Sequence, residues 1–158
     1  MEKILRERLV NGQFSNVSVF RSKMMGSIKS ANNKSTEKIF QKALIDAGIT
    51  NFEANAKLIG NPDIFFPSYN VVVFLDGCFW HGCPRCGHIP KSNTSYWAAK
   101  IQRNKERDIH KRLALSEQGY EIVEYWEHEL KENMVECINT LKSVIEDNLM
   151  RISLYESN

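Results

Sequence analysis

The stretch VVVFLDGCFWHGCPRCGH, residues 71–88, predicts the central element of the fold and contains many of the chemically reactive side chains. Its first part is an apolar, β-branched run that predicts a central strand ending at Asp76. Its second part places three of the four cysteines and two of the four histidines beside a Phe-Trp pair. Packing alone rarely requires that mixture. The stretch therefore predicts a buried strand that leads directly into a functional loop.

Elements predicted on either side of this strand give a mixed order of helices and strands. Upstream, a helix capped by Ser35 or Thr36 and closed by Gly48 precedes short strands in TNFEANA (50–56) and DIFFP (63–67). Downstream we expect one or two helices within 96–119, a strand in YEIVEYW (120–126) and a closing helix over 133–147. A helical connection between the last two strands allows them to pair in parallel, so we predict an α/β fold with a mixed sheet flanked by helices.

Composition indicates one globular domain and excludes a membrane span. The 158 residues are 42% hydrophobic and 25% charged, and no apolar run approaches the ~18–20 residues that a span needs. The amino terminus lacks a secretory signal, so we expect a cytoplasmic protein whose thiols stay reduced. The formal net charge of +2 names no partner. The segment 100–112 is nevertheless rich in Lys and Arg, which predicts an anion-binding helix face or, alternatively, an ordinary solvated surface.

Three cysteines with the spacing C-x4-C-x2-C predict a structural zinc site. Cys78, Cys83 and Cys86 would supply thiolates, and Pro84 and Gly87 suit the tight turn of such a knuckle. Zinc needs a fourth ligand. The candidates are His88, His128 and Cys137. Cys137 lies on the apolar face of the closing helix, where a buried thiol is the simpler interpretation, whereas His128 follows a strand, which is a rigid place to offer a ligand.

Glu37 is unusual because it falls on the inward face of the first predicted helix. Phe40 and Leu44, three and seven residues later, belong to the apolar stripe of that helix. An inward carboxylate near a helix start either interacts with the helix dipole or points into a site. The sequence alone leaves both interpretations open.

Four segments together resemble the very short patch repair (Vsr) endonucleases. They are RSKMM (21–25), NPDIFFPSYNVVVFLDGCFWHGC (61–83), YWAAKIQRNKERD (96–108) and EYWEHEL (124–130). Enzymes of that family are bacterial and nick duplex DNA beside the thymine of a T·G mismatch left by deamination of 5-methylcytosine. The resemblance implies a restriction-endonuclease-like fold, catalytic Mg²⁺, structural Zn²⁺, action at the nucleoid, and a functional link to a DNA cytosine-5 methyltransferase.

The resemblance assigns catalytic roles to three residues. Asp63 matches the Asp of the family's PD motif and would anchor Mg²⁺, with help from the Leu75 carbonyl or the Asp76 carboxylate. His81 matches the catalytic His and would take a proton from water. Glu37 matches the family's helix Glu and would support His81 or a metal-held water. Some relatives have His where this chain has Asp76.

The resemblance also selects the zinc ligands and the DNA contacts. Cys78, Cys83 and Cys86 match family ligands, and His128 stands where some relatives have the last Cys ligand. Aromatic residues would insert beside the mismatch, a Met would insert from the other side, and basic residues would contact phosphates. The predicted DNA contacts are Arg21, Lys23, Met25, Phe79, Trp80, Trp97, Lys100, Arg103, Lys105 and Arg107.

These assignments divide the chain into four parts. We predict an N-terminal extension over 1–20, a basic DNA-contacting arm over 21–34, the endonuclease domain over 35–150 and a C-terminal tail over 151–158. Two other functions remain open from the sequence. One is a related restriction or defence nuclease that cleaves correctly paired DNA, and the other is a non-catalytic, zinc-stabilised DNA-binding module.

Overall fold

The computed structural model of the chain describes residues 9–10, 13–14 and 33–156. Strands β1 (Leu9–Val10) and β2 (Gln13–Phe14) form an antiparallel pair. The main body consists of α1 (Asn33–Asp46), β3 (Glu53–Ala54), β4 (Ile64–Phe66), β5 (Val71–Asp76), α2 (Thr94–Glu117), β6 (Glu121–Trp126) and α3 (Glu127–Glu156). Arg21, Lys23 and Met25 of the predicted arm lie outside the described residues. Among the helices that are described, none is long and apolar enough to cross a membrane.

Four of these strands form one mixed sheet in the order β3-β4-β5-β6. The pairs β3–β4 and β4–β5 are antiparallel, whereas β5 and β6 are parallel, with Phe74 opposite Glu124 and Asp76 opposite Trp126. Parallel neighbours need a long crossover, and α2 supplies it as a single helix. The predicted α/β class and the mixed sheet are therefore confirmed.

Strand β5 is buried along its whole length because both faces of the sheet are covered. Val71, Val73 and Leu75 pack into a core with residues of α1 and α3, while Val72 and Phe74 pack on the opposite face with Leu115 of α2. Full burial of such a side chain contributes roughly 1.5–3 kcal/mol. Because side chains alternate along a strand, Asp76 lies on the same face as Phe74, towards α2.

Several predicted boundaries differ from the structure. Helix α1 begins at Asn33, so Ser35 and Thr36 lie inside it and the predicted cap is wrong, although Gly48 follows the helix with a positive φ of 79° as expected. Helix α3 begins at Glu127, directly after β6, and non-helical dihedral angles at Asn133 divide it at the residue where the predicted closing helix starts. The segment before Asn133 was not predicted, and the segment after it continues through the predicted tail as far as Glu156.

The early start of α3 has a local cause. The side chain of Glu129 accepts a hydrogen bond of 2.8 Å from the backbone N–H of Trp126, the last residue of β6. A glutamate three residues into a helix that reaches back to the preceding N–H is half of a capping box. Strand and helix are thus joined without a loop, and His128 is fixed by both.

Candidate active site and metal centre

A cavity of about 210 Å³ lies between the carboxyl end of β5 and helix α2. Glu37, Asp63, Asp76 and His81 all line it, although they come from α1, the segment before β4, the end of β5 and the loop after it. The structure therefore brings together the three predicted catalytic residues and the alternative Mg²⁺ ligand.

Asp63 is held at the edge of the sheet by backbone pairing and by its own side chain. Its N–H donates to the carbonyl oxygen of Val73 at 3.0 Å, and its carboxylate accepts a hydrogen bond of 2.7 Å from the N–H of Leu75. Burial raises the pKa of Asp63 to about 6; the Leu75 N–H lowers it, and the Glu37 and Asp76 carboxylates raise it. A buried carboxylate crowded by two others favours a bound cation or proton.

His81 lies on the loop after β5 and points its Nδ1 at carboxylates. Oδ2 of Asp108 lies 2.6 Å from Nδ1, and Oδ1 of Asp76 lies 3.7 Å from the same atom. A carboxylate on one ring nitrogen fixes both the orientation of the ring and its tautomer. Because Asp108 contacts Nδ1, any proton exchange between His81 and a molecule in the cavity would use Nε2.

Helix α2 holds this loop through one stripe of side chains. Asn104 donates from its side-chain amide to the Trp80 carbonyl at 2.9 Å, and four residues later Asp108 contacts His81. After another four residues, Arg112 contacts Asp76 at 2.5 Å. Residues spaced by four lie on one helical face, so a single face of α2 positions the end of β5 and the loop.

Asp108 and Arg112 line the cavity and contact His81 and Asp76, but the sequence analysis does not single them out. Both lie in the charged segment for which the sequence predicts an anion-binding or solvated surface. The available signal was their spacing, because Asp108 and Arg112 continue the stripe that begins with Asn104. Their partners lie 27 and 36 residues earlier in the chain, so no local pattern identifies them.

The cysteine cluster forms a set that can hold a zinc ion. The thiol sulfurs of Cys78, Cys83 and Cys86 lie 3.3, 3.6 and 3.4 Å from Nδ1 of His128. All four ligand atoms lie within 4.8 Å of one another. Three thiolates and one imidazole are a common set for structural zinc.

The two other candidates for the fourth ligand are placed elsewhere. His88 is exposed and packs against the Phe79 ring, with ring centroids 5.5 Å apart. Cys137 is buried in the main core, as predicted for a structural thiol.

The cysteine loop depends on one glycine. The N–H of Gly87 donates to the Cys83 carbonyl at 2.9 Å, and a Cβ at position 87 would lie 2.5 Å from that oxygen. Such a distance is far inside van der Waals contact, so only glycine fits the knuckle. The turn can therefore bring Cys86 back to Cys78 and Cys83.

Aromatic side chains form a partly exposed platform on the same loop. Phe79 and Trp80 are half-buried, with ring centroids 5.0 Å apart, whereas Trp97 of α2 is only 7% exposed and packs against both. The Lys100 ammonium lies 5.4–5.7 Å from the ring centroids of Trp80, Tyr96 and Trp97. Phe79 and Trp80 form the accessible part of this platform, and Trp97 supports them from beneath.

The remaining predicted phosphate contacts lie along α2. Arg103, Lys105 and Arg107 are exposed, and Arg107 lines the cavity together with Lys111. Lys105 packs over Gly82, where an added Cβ would come within 2.4 Å of its side chain. Positive charge thus extends from the platform to the cavity along one helix.

Comparisons with known proteins match this chain to DNA endonucleases and nicking enzymes. A family model described as DNA mismatch endonuclease Vsr matches residues 17–86, a range that includes Glu37, Asp63, His81 and the three clustered cysteines. The type II nicking enzyme V.NmeAIP of Neisseria meningitidis is 40% identical over 131 residues, covering 80% of this chain and 92% of that protein. The DNA mismatch endonuclease Vsr of Escherichia coli is 34% identical over 113 residues, covering 70% and 71%. The type II nicking enzyme V.XorIIP of Xanthomonas oryzae is 40% identical over 115 residues, covering 71% and 82%.

Proposed function

Because this chain belongs to the Vsr family of DNA mismatch endonucleases, we propose that it nicks one strand of duplex DNA beside a T·G mismatch in a Mg²⁺-dependent reaction. The chain is a DNA endonuclease, and its mixed sheet is restriction-endonuclease-like. The observation that carries the finer proposal is the convergence of Asp63 and His81 in one cavity beside a half-buried aromatic pair.

The cavity suits a divalent cation bound by oxygen ligands. Its lining includes four carboxylates, and the pKa of Asp63 is raised by burial and by two of them. Mg²⁺ prefers one or two carboxylates and keeps several waters. We assign Asp63 as the protein carboxylate that would hold it, aided by the Leu75 carbonyl, since Arg112 already pairs with Asp76. A bound Mg²⁺ would stabilise charge on the phosphate and make a coordinated water more acidic.

His81 acts as the general base in this proposal. Its Nε2 takes a proton from the attacking water, and the Asp108 carboxylate holds the ring and stabilises the imidazolium that forms. The water oxygen bonds to phosphorus while the bond from phosphorus to one backbone oxygen breaks, and that oxygen leaves with the bonding electron pair and takes a proton from solvent. Glu37, on the cavity wall, orients the water.

The aromatic platform and the basic face of α2 bind the duplex. Phe79 and Trp80 insert beside the mismatch, where unstacking costs least because pairing is already faulty. Trp97 supports them, while Lys100, Arg103, Lys105 and Arg107 contact phosphates and position the strand. Zinc held by Cys78, Cys83, Cys86 and His128 keeps the loop rigid, so that the aromatic pair and His81 hold a fixed relative position.

A nicking assay on a panel of duplexes tests the proposal. The panel contains T·G, the corresponding T·A and C·G pairs, and other mismatches, each in several flanking sequences with the two strands labelled differently. We expect cleavage of one strand at T·G only, requiring Mg²⁺ and lost in Asp63→Ala. If the wild-type protein cuts paired duplexes equally well, the alternative function, a restriction or defence nuclease, is the better interpretation. Two of the relatives are named type II nicking enzymes, which is why this alternative is tested.

The same panel tests the predicted link to DNA methylation. Deamination of 5-methylcytosine produces a T·G mismatch, so an enzyme serving that repair should prefer one flanking sequence. We propose that the preferred sequence is the target of a DNA cytosine-5 methyltransferase of the same bacterium. Equal cleavage of T·G in every flanking sequence would contradict the proposed link to a methyltransferase.

A further inference from the structure

Arg112 is tightly held at the cavity wall, and the reaction proposed above gives it no task. Its guanidinium contacts Oδ2 of Asp76 at 2.5 Å and Oε1 of Glu124 at 3.0 Å. It also lies over the Phe74 ring, 5.0 Å from the centroid. Phe74 and Glu124 are paired in the β5–β6 register, so Arg112 packs on adjacent residues of the sheet.

Asp76 depends on Arg112 because it is buried. Its exposed fraction is 5%, and the Arg112 side chain is itself only 18% exposed. A carboxylate removed from water must be paired, take a proton or move towards another cation or donor. One ring nitrogen in the cavity, Nδ1 of His81, lies 3.7 Å from the other oxygen of Asp76.

Two carboxylates therefore face one ring nitrogen. Asp108 bonds to Nδ1 of His81 at 2.6 Å, and Oδ1 of Asp76, 3.7 Å from the same atom, lies about 0.5 Å beyond the usual range of a hydrogen bond. If Asp76 turned towards Nδ1, it would compete with Asp108 and rotate the imidazole away from the cavity. We propose that Arg112 is a positioning residue, which holds the Asp76 carboxylate so that Asp108 alone orients His81. This inference rests on the roles proposed above for His81 and Asp63.

Arg112 is poorly placed for the simpler task of binding a DNA phosphate. Two of its nitrogens already contact Asp76 and Glu124, and most of the side chain is buried. Arg107 and Lys111 line the same cavity, and Arg107 is 57% exposed. The geometry therefore favours action on Asp76 over direct contact with the substrate.

A double-mutant cycle tests the inference. Arg112→Met, Asp76→Asn and the double variant are compared in single-turnover nicking with enzyme in excess, and DNA affinity is measured by fluorescence anisotropy without divalent cation. We expect Arg112→Met to slow nicking roughly 10- to 100-fold, as loss of an orienting partner typically does, with little change in affinity. Asp76→Asn should cost less, because an uncharged side chain needs no counter-charge.

The decisive result is the rate of the double variant. If Arg112 acts by holding Asp76, the double variant should nick at about the rate of Asp76→Asn alone, so the second substitution rescues the first. If the two losses multiply, or if Arg112→Met weakens DNA binding as much as it slows nicking, the inference is wrong. Should Arg112→Met fail to fold, as judged by thermal melting, the uncharged Arg112→Gln takes its place in the cycle.

Two further variants keep the outcome interpretable. Arg151→Met removes an arginine from an exposed ion pair with Glu121 on another part of the molecule and should nick like wild type. Asp63→Ala distinguishes a failure of the proposed catalytic roles from a failure of the positioning role of Arg112. If Asp63→Ala retains nicking, the proposed catalytic roles fail. If it is inactive while the losses from Arg112 and Asp76 multiply, only the positioning role of Arg112 fails.

Discussion

Oδ2 of Asp108 lies 2.6 Å from Nδ1 of His81, and the two residues belong to a helix and to a loop that are separate in sequence. The pairing gives His81 one defined orientation and would provide a negative partner for the imidazolium of the proposed reaction. A histidine on a glycine-containing loop would otherwise sample several rotamers. The helix thus supplies the precision that the loop lacks.

Replacing Asp108 by Asn should slow nicking without weakening DNA binding. The amide has the same size but no charge, so it cannot stabilise the imidazolium, and the single-turnover rate should fall by roughly 10²-fold or more. Asp46→Asn is the matched control, because Asp46 is exposed and pairs with Lys42 on the surface of α1. Equal rates for Asp108→Asn and wild type would remove Asp108 from the mechanism.

Replacing Asp63 by Asn should abolish nicking and stabilise the Mg²⁺-free protein. The pKa of Asp63 is raised from 3.8 to about 6, so its ionised form destabilises the fold, by roughly 1–3 kcal/mol at full ionisation. The folded state binds this proton more tightly than the unfolded state, so the penalty is complete above pH 6 and fades as the pH falls towards 3.8.

Unfolding experiments in Mg²⁺-free buffer without chelator measure this effect. The stability advantage of Asp63→Asn over wild type should be larger at pH 8 than at pH 5. Added Mg²⁺ should stabilise the wild type more than the variant, since only the wild type has a carboxylate at position 63. A variant less stable than wild type at pH 8 would show that the Asp63 charge is already well compensated without metal.

Replacing His128 by Ala should reduce bound zinc and stability together. Removing one of four ligands weakens a structural zinc site and frees the loop that carries His81, so elemental analysis should show substoichiometric zinc and thermal melting a lower midpoint. His88→Ala provides the control from the same loop and should retain zinc. Full zinc content in His128→Ala would show that another residue is the fourth ligand.

Replacing Trp80 by Ala should reduce the preference for mismatched DNA. Stacking of an aromatic side chain on a base contributes roughly 1–3 kcal/mol, so the ratio of nicking rates between T·G and paired duplexes should fall about 10-fold or more. Tyr155→Ala, which removes an exposed aromatic residue from the end of α3, should leave the ratio intact. If Trp80→Ala keeps the wild-type ratio, the mismatch is sensed elsewhere.

The sequence was informative where one residue type has few uses. A β-branched apolar run between turn residues fits few places except a central strand, and β5 spans Val71–Asp76 as predicted. Clustered cysteines in tight turns likewise have few uses, and three of them meet His128 in the structure. Choosing His128 over His88 required the family resemblance, because spacing alone favours neither.

Charged residues on α2 could not be assigned from the sequence. Solvated, phosphate-binding and buried ion-pairing residues look alike in a Lys- and Arg-rich helix. Asp108 and Arg112 differ from their neighbours only through long-range contacts with His81 and Asp76. The sequence does not predict the early start of α3 for a similar reason. The hydrogen bond from the Trp126 N–H to the Glu129 carboxylate extends the helix towards β6, and the spacing of apolar residues gives no sign of that bond.

The stripe formed by Asn104, Asp108 and Arg112 also sets how this enzyme can vary in length. Each residue removed from a helix turns everything after it by about 100°. One deletion early in α2 would therefore detach the loop, the imidazole and the end of the central strand in a single event, whereas a substitution disturbs one of them. Length changes should be tolerated in the turn after Glu117 and be lethal to activity within the helix before it.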